Sequence, residues 1–183
     1  TCARVGCMPS KALIQAADDF HRRHALASLG IRGGEALRVD LPAVLQHVRD
    51  YRDARVAGVL GSTASLQPQQ NIAGRARLDG PNRVVVALPD GQEQVIAADR
   101  ILVGTGTRPV VPDAWRAFGS RILTTDDLFE QPDLPRRIAV IGLGVIGLEL
   151  GQALARLGLD VAGYELRENL GPLTDPVIQA ALD

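Results

Sequence analysis

Cysteine is almost absent from this 183-residue chain: only two occur, Cys2 and Cys7, both within the first seven residues. A tetrahedral zinc site wants about four ligands, and His21, His24 and His47 fall in helix-like stretches away from the cysteines, so no metal centre is expected. Aromatic residues make up 3% of the chain, which removes the stacking platforms of single-strand nucleic-acid binders. An excess of one charge is missing too. With 20 basic residues against 21 acidic ones, there is no electrostatic case for nucleic acid or a membrane surface. The longest apolar run, 138–148, is too short and too glycine-rich to span a bilayer, and Glu149 ends it. No signal peptide precedes the cysteines, the first residue is not Met, and a motif stands at residue 1. The expectation is a fragment of a longer protein, large enough for one domain or parts of two, in the reducing cytoplasm.

What is present begins with those cysteines, in TCARVGCMPSK (1–11). Five steps of regular helix rise about 7.5 Å, beyond the reach of a disulfide, so a bridge needs an irregular turn. Gly6 supplies the freedom for it, and Pro9 with Ser10 marks a helix start just beyond. Cys7 then sits at a helix N-terminus, where the dipole favours a thiolate. Lys11, four residues on, can share its face. The spacing favours a redox dithiol over a structural disulfide or two buried small residues.

Further along, Leu13, Ile14, Ala17, Phe20, Ala25 and Leu26 predict a helix to about residue 28, stopped near Gly30. Asp40 as N-cap, Pro42 in the first turn and the stripe Leu41, Val44, Leu45, Val48, Tyr51, Val56, Val59 and Leu60 predict a long amphipathic helix to Gly61. Arg49, Arg52 and Arg55 are expected on its solvated face, and His47 beside the stripe. Short strands follow at 71–78, 83–88 and 94–97, separated by Asp79-Gly80-Pro81-Asn82 and Pro89-Asp90-Gly91, the pattern of an antiparallel meander. Residues 100–103 (RILV) read as a strand buried on both faces, running into Gly104-Thr105-Gly106, whose glycines permit close backbone approach to a ligand. A linker over 112–121 and a capped short helix within 123–129 come next.

The nucleotide signal is stronger. RIAVI (137–141) reads as a strand, followed at once by Gly142-Leu143-Gly144-Val145-Ile146-Gly147, a helix-like run to Leu157, and a second strand over 160–164 that ends on Glu165. Glycine triplets alone are common; strand, triplet, helix, strand and acid in that order mark a dinucleotide site. Gly142 allows the tight turn, Gly144 the approach of a pyrophosphate to the helix N-terminus, and Gly147 close helix packing. Val145 and Ile146 are counted with them as cofactor-binding. Glu165 would accept hydrogen bonds from both ribose hydroxyls and repel a 2′-phosphate, favouring NAD; Arg167 keeps NADP open. Glu149 has two readings from local sequence, an acid favoured by the helix dipole or a partner of Lys11 at a reacting centre.

TCARVGCMPSK, VGTGTRPVVP (103–112) and IAVIGLGVIGLELG (138–151), in that order, resemble the flavin-dependent pyridine nucleotide–disulfide oxidoreductases, dihydrolipoamide dehydrogenases above all. The resemblance covers essentially the whole chain. It implies that Cys2 is the interchange thiol and Cys7 the thiol against the flavin. It also implies that Lys11 lies near the flavin and pairs with Glu149, and that Gly104, Thr105 and Gly106 contact FAD; Ala76 joins the cofactor-binding set. The implied reaction passes electrons from a dithiol through FAD to NAD, with a lipoyl or other small disulfide substrate and a homodimeric assembly. The implied architecture is α/β: part of an FAD-binding domain over 1–113, then the start of a Rossmann-type NAD-binding domain over 114–183.

Departures are visible. The glycine fingerprint expected ahead of the cysteines and the C-terminal His–Glu pair are not in the chain, so the 183 residues alone are expected to lack tight FAD binding and turnover. Arg4 stands where many relatives carry Asn. Pro9-Ser10-Lys11 leans towards lipoamide or mercuric reductases over glutathione reductase. A rival reading is a non-catalytic redox-sensing module that keeps the dithiol.

Overall fold

The cysteine segment forms two helices with a break where glycine was expected to allow one. In the computed structural model, which describes residues 2–166 and 175–179, α1 spans Cys2–Val5 and α2 spans Cys7–His21. Gly6 between them has φ −125° and ψ −119°, outside helical values. Helix α2 starts at Cys7, two residues ahead of the Pro9-Ser10 start signal, which puts Cys7 at the helix N-terminus; a proline in the first turn forfeits no intrahelical hydrogen bond. The helix ends at His21 and continues as 3₁₀ turns over Arg22–His24 and Leu26–Leu29, stopped by Gly30 in the left-handed region.

Helix α3 spans Leu41–Ala64, three residues beyond the glycine expected to end it. The Asp40 side chain accepts from the Ala43 amide at 3.1 Å, as an N-cap does. Its apolar stripe is buried only at Leu45 and Val48; Val59 and Leu60 lie exposed. Arg52 corrects the expectation of a solvated arginine face. Its side chain is buried, with Nε donating to Asp53 at 2.8 Å and Nη1 to Glu130 at 2.7 Å. The Asp53 hydrogen bond holds the guanidinium above its ordinary range; desolvation opposes it, and the bond to Glu130 adds to it.

The described chain divides into two compact units, Thr1–Val56 with Pro109–Asp183, and Ala57–Arg108. The second unit holds the predicted meander: β1 (Arg75–Leu78), β2 (Arg83–Ala87) and β3 (Glu93–Ala97), antiparallel in that order. Residues 101–112 form no regular element, so the strand expected at 100–103 is not formed. No strand among the described residues pairs with it, and Leu102 is 95% exposed. Without a neighbour on either side, an apolar strand has neither ladder partners nor burial.

The first unit contains α4 (Thr125–Leu128), β4 (Arg137–Ile141), α5 (Val145–Arg156) and β5 (Asp160–Tyr164), with a further short helix, α6, at Pro176–Gln179. Strands β4 and β5 pair in parallel, Ile138 opposite Val161 and Ile141 opposite Tyr164, which makes β4–α5–β5 a βαβ unit. The core beside it joins Leu13 and Ala17 of α2, Leu45 and Val48 of α3, Phe129, and Leu150, Ala153, Leu154 and Leu157. Leu13, Ala17, Leu45 and Val48 are fully inaccessible. Burying each of the larger side chains is worth about 1.5–3 kcal/mol, so α2 is tied to the nucleotide-type helix by its apolar face.

Helix α4 is entered through a reciprocal cap: the Asp126 amide donates to Thr124 Oγ1, and the Thr124 amide donates to Asp127 Oδ2. Thr124→Ala is expected to lower unfolding free energy by about 1 kcal/mol. Urea unfolding checks it, and an unchanged midpoint contradicts the cap's contribution.

Candidate functional site

Cys2 and Cys7 form a disulfide with their Cα atoms 4.9 Å apart, inside the range a bridge requires. The separation is reached because the chain leaves helical geometry at Gly6 between them. The Ser10 amide donates back to the Gly6 carbonyl at 3.2 Å, and Ser10 Oγ donates to the Cys7 carbonyl at 3.2 Å. These bonds fix the first turn of α2 directly after the bridge. Both cysteines are exposed.

Lys11 projects from α2 towards α5. Its Nζ donates to both oxygens of Glu149, at 2.7 and 2.8 Å. The two residues stand 138 positions apart in sequence. The pair is not sealed from solvent, with side chains 59% and 36% exposed. Such a pair contributes about 0.2–1 kcal/mol, so what it fixes is position rather than stability. Of the two readings of Glu149, the contact with Lys11 is the one realised.

The glycine loop is built as a phosphate site requires. Gly142 has φ +93°, a conformation that favours glycine, and its amide donates to the Tyr164 carbonyl at 2.8 Å, tying the loop to the end of β5. Gly144 is the N-cap of α5, and a Cβ placed there meets nothing within 4 Å, which leaves the helix N-terminus open. At Gly147 a Cβ would fall onto the Gly142 carbonyl oxygen, so the close approach of helix and loop depends on glycine there. Val145 and Ile146, the first residues of α5, are exposed. Open amides at the start of a 12-residue helix, reached by a loop free of Cβ atoms, suit a dinucleotide's pyrophosphate.

Glu165 lies just past β5, and its Oε2 accepts from the Leu143 amide at 2.8 Å while its Oε1 accepts from the Leu166 amide at 2.8 Å. The acid is thus held against the glycine loop. Leu143 was not singled out by the sequence motif. Its side chain lies over Gly163, where a Cβ would come within 2.9 Å of Leu143 Cδ2. That explains the glycine in a strand otherwise suited to aliphatics. Arg167 lies outside the described residues.

Ala76, Gly104, Thr105 and Gly106 belong to the second unit. Ala76 sits in β1 opposite Val86. Gly104 has open space where a Cβ would be, and Gly106 has φ +76°. The two glycines thus leave the 104–106 backbone accessible to a ligand. Among the described residues no cluster of three or more His, Cys, Asp or Glu is placed to hold a metal ion, and no helix is long and apolar enough to cross a membrane.

An exposed disulfide thus stands at the head of one helix, and a glycine loop at the head of the helix packed on it. Residues 1–183 match the family described as pyridine nucleotide-disulphide oxidoreductase. The chain belongs to that family. It is 38% identical over 178 residues to dihydrolipoyl dehydrogenase 3 of Pseudomonas aeruginosa, a match covering 96% of this chain and 37% of that protein. It is 34% identical over 161 residues to the mercuric reductase of Shigella flexneri, covering 86% of this chain and 28% of that enzyme. Among solved structures, LpdA from Mycobacterium tuberculosis superposes with a TM-score of 0.76 at 26% identity, covering 99% of this chain and 39% of LpdA. The chain therefore spans well under half the length of these family relatives.

Proposed function

We propose that the chain is the dithiol- and nucleotide-bearing part of a flavin-dependent disulfide oxidoreductase of the dihydrolipoyl dehydrogenase kind, passing electrons between a substrate dithiol, FAD and NAD. The single observation that carries this reading is the Cys2–Cys7 disulfide on the helix whose Lys11 meets Glu149 of the nucleotide-type helix. Residues 1–113 are assigned to an FAD-binding domain and 114–183 to the start of a Rossmann-type NAD-binding domain. The family membership and the βαβ unit at Arg137–Tyr164 support that division. FAD would be held by Lys11, Ala76, Gly104, Thr105 and Gly106, and NAD by Gly142, Gly144, Val145, Ile146, Gly147 and Glu165. When bound, the two cofactors supply two-electron hydride transfer.

The chain's own chemistry is thiol–disulfide exchange. With the dithiol reduced, the Cys2 thiolate attacks one sulfur of a substrate disulfide, forming a mixed disulfide and releasing the other sulfur as thiolate. The Cys7 thiolate then attacks the Cys2 sulfur, re-forming the Cys2–Cys7 bond and releasing the second substrate thiolate. The dithiol is oxidised by two electrons and the substrate reduced by two. Run in reverse, the same steps oxidise a dihydrolipoyl group. Lys11, held by Glu149, places a cation one helical turn from Cys7, and the start of α2 favours an anionic sulfur there. Glu165 favours NAD because a carboxylate beside the ribose repels a 2′-phosphate. The assembly proposed for the whole protein is a cytoplasmic homodimer, on the family resemblance.

A mercuric reductase is the second reading, favoured by the Shigella flexneri relative. Steady-state turnover of the whole protein separates the two. The expected result is NADH-linked turnover of lipoamide with NADPH at least about tenfold poorer in kcat/KM. Turnover of Hg(II) with NADPH and none of lipoamide replaces the first reading with the second.

A further inference from the structure

Helices α2 and α5 meet through a second ion pair that the sequence motifs do not include. Arg156, the last residue of α5, donates from Nη1 to Asp18 Oδ1 in the last turn of α2. The pair lies seven residues after Lys11 on one helix and seven after Glu149 on the other. Seven residues are about two turns, or roughly 10.5 Å of rise, so both pairs fall along one seam. They also show that α2 and α5 run in the same direction. Between them pack Leu13 and Ala17 of α2 and Leu150, Ala153 and Leu154 of α5, side chains that carry no charge pattern of their own.

The signs of the two ion pairs add a constraint on direction and register. Helix α2 carries plus then minus, at Lys11 and Asp18; α5 carries minus then plus, at Glu149 and Arg156. Sliding one helix by two turns would set Lys11 against Arg156, a like-charge pair. Packing the helices antiparallel would give two like-charge pairs, Lys11 with Arg156 and Asp18 with Glu149. Only the observed direction and register satisfy both, the logic by which flanking charges set helix pairing.

We propose that Asp18 and Arg156 are positioning residues that fix the axial register of α5 on α2, and thereby keep Glu149 on Lys11 at the dithiol site. The pair acts from a distance: Asp18 lies eleven residues after Cys7, and Arg156 twelve after Gly144, so neither touches the reacting sulfurs or the glycine loop. Because the glycine loop, α5 and β5 form one βαβ unit, a slip of α5 along α2 carries Glu149 away from Lys11 without altering that unit's internal geometry. The defect therefore falls on turnover rather than on nucleotide affinity. The consequence for turnover rests on the disulfide-oxidoreductase reading above; the consequence for the Lys11–Glu149 contact does not.

The test uses the whole FAD-loaded protein with Arg156→Asp, Asp18→Arg and the exchanged pair D18R/R156D. Each single reversal is expected to lower kcat by about 10- to 100-fold, the scale of a misplaced active-site group, with KM for NADH within about twofold. The exchanged pair is expected to regain most of kcat, a rescue that loss of a merely stabilising contact elsewhere would not give. Crystal structures of the same proteins are expected to show the Lys11–Glu149 contact opened in the single variants and closed in the exchanged pair. Retention of that contact in R156D, or failure of the exchanged pair to restore it, overturns the proposal. If R156D does not fold, R156A is read by the same two measurements. A wild-type protein without disulfide turnover refutes the proposed function, and the crystallographic distances then decide the positioning role alone.

Discussion

Cys7→Ser in the whole protein is expected to reduce disulfide turnover by roughly a thousandfold or more, the scale on which removing a covalent nucleophile acts. The reason is specific to the two-step exchange. With Cys7 gone, the Cys2 thiolate can still form a mixed disulfide, but no second thiolate stands 4.9 Å away, Cα to Cα, to resolve it. Cys2→Ser should be as inactive by the opposite route, because the sulfur proposed to attack the substrate is missing. The two variants are told apart by trapping. Cys7→Ser is expected to accumulate a substrate adduct at Cys2, visible by mass spectrometry, and Cys2→Ser to accumulate none at Cys7. Equal trapping at either cysteine would mean the two sulfurs are interchangeable, and the assigned order of attack would be wrong.

Gly147→Ala carries the second large effect. The added methyl would fall onto the Gly142 carbonyl oxygen and come within 3.4 Å of Val140 Cγ1, so backbone rather than a flexible side chain has to give way. Overpacking of this kind costs about 1–3 kcal/mol. The displaced group is the turn proposed to present Gly144 to a phosphate, so a rise of at least about tenfold in KM for NADH is expected together with the loss of stability. Gly58→Ala is the contrasting variant. Gly58 lies inside α3, where a Cβ meets nothing within 4 Å, and alanine there is expected to be neutral or to stabilise by about 0.5–1 kcal/mol. Urea unfolding and NADH kinetics on both variants check the pair. Equal effects at Gly58 and Gly147 would mean the close approach at the loop is not what makes glycine necessary.

The βαβ unit was legible in the sequence because each of its signals is local: a strand, a glycine turn, a helix start and an acid follow one another within 30 residues. The three strands of the meander were legible for the same reason, since Asp79-Gly80 and Pro89-Asp90-Gly91 punctuate them. Contacts distant in sequence were not legible from composition or periodicity. The Lys11–Glu149 contact was expected only through family resemblance, because local spacing left Glu149 with two equal explanations. Arg52 was misread as solvated: helical spacing cannot reveal that Glu130, 78 residues away, waits to receive it. Residues 100–103 carry a strand's composition, yet composition does not supply a neighbouring strand. Leu143 over Gly163 left a faint signal, a glycine where a strand favours β-branched residues. The Asp18–Arg156 pair left one too, a seven-residue echo of Lys11–Glu149 that becomes visible only once the helices are known to be parallel.

The most direct test of the whole account is a count of thiols. The FAD-loaded whole protein is reduced anaerobically with one equivalent of NADH per flavin, and its free thiols are then titrated with an alkylating reagent. The account predicts two new thiols per chain, at Cys2 and Cys7, over whatever number the unreduced protein gives. Full consumption of NADH with the Cys2–Cys7 disulfide left intact would contradict it, because the dithiol would then lie outside the path of the electrons.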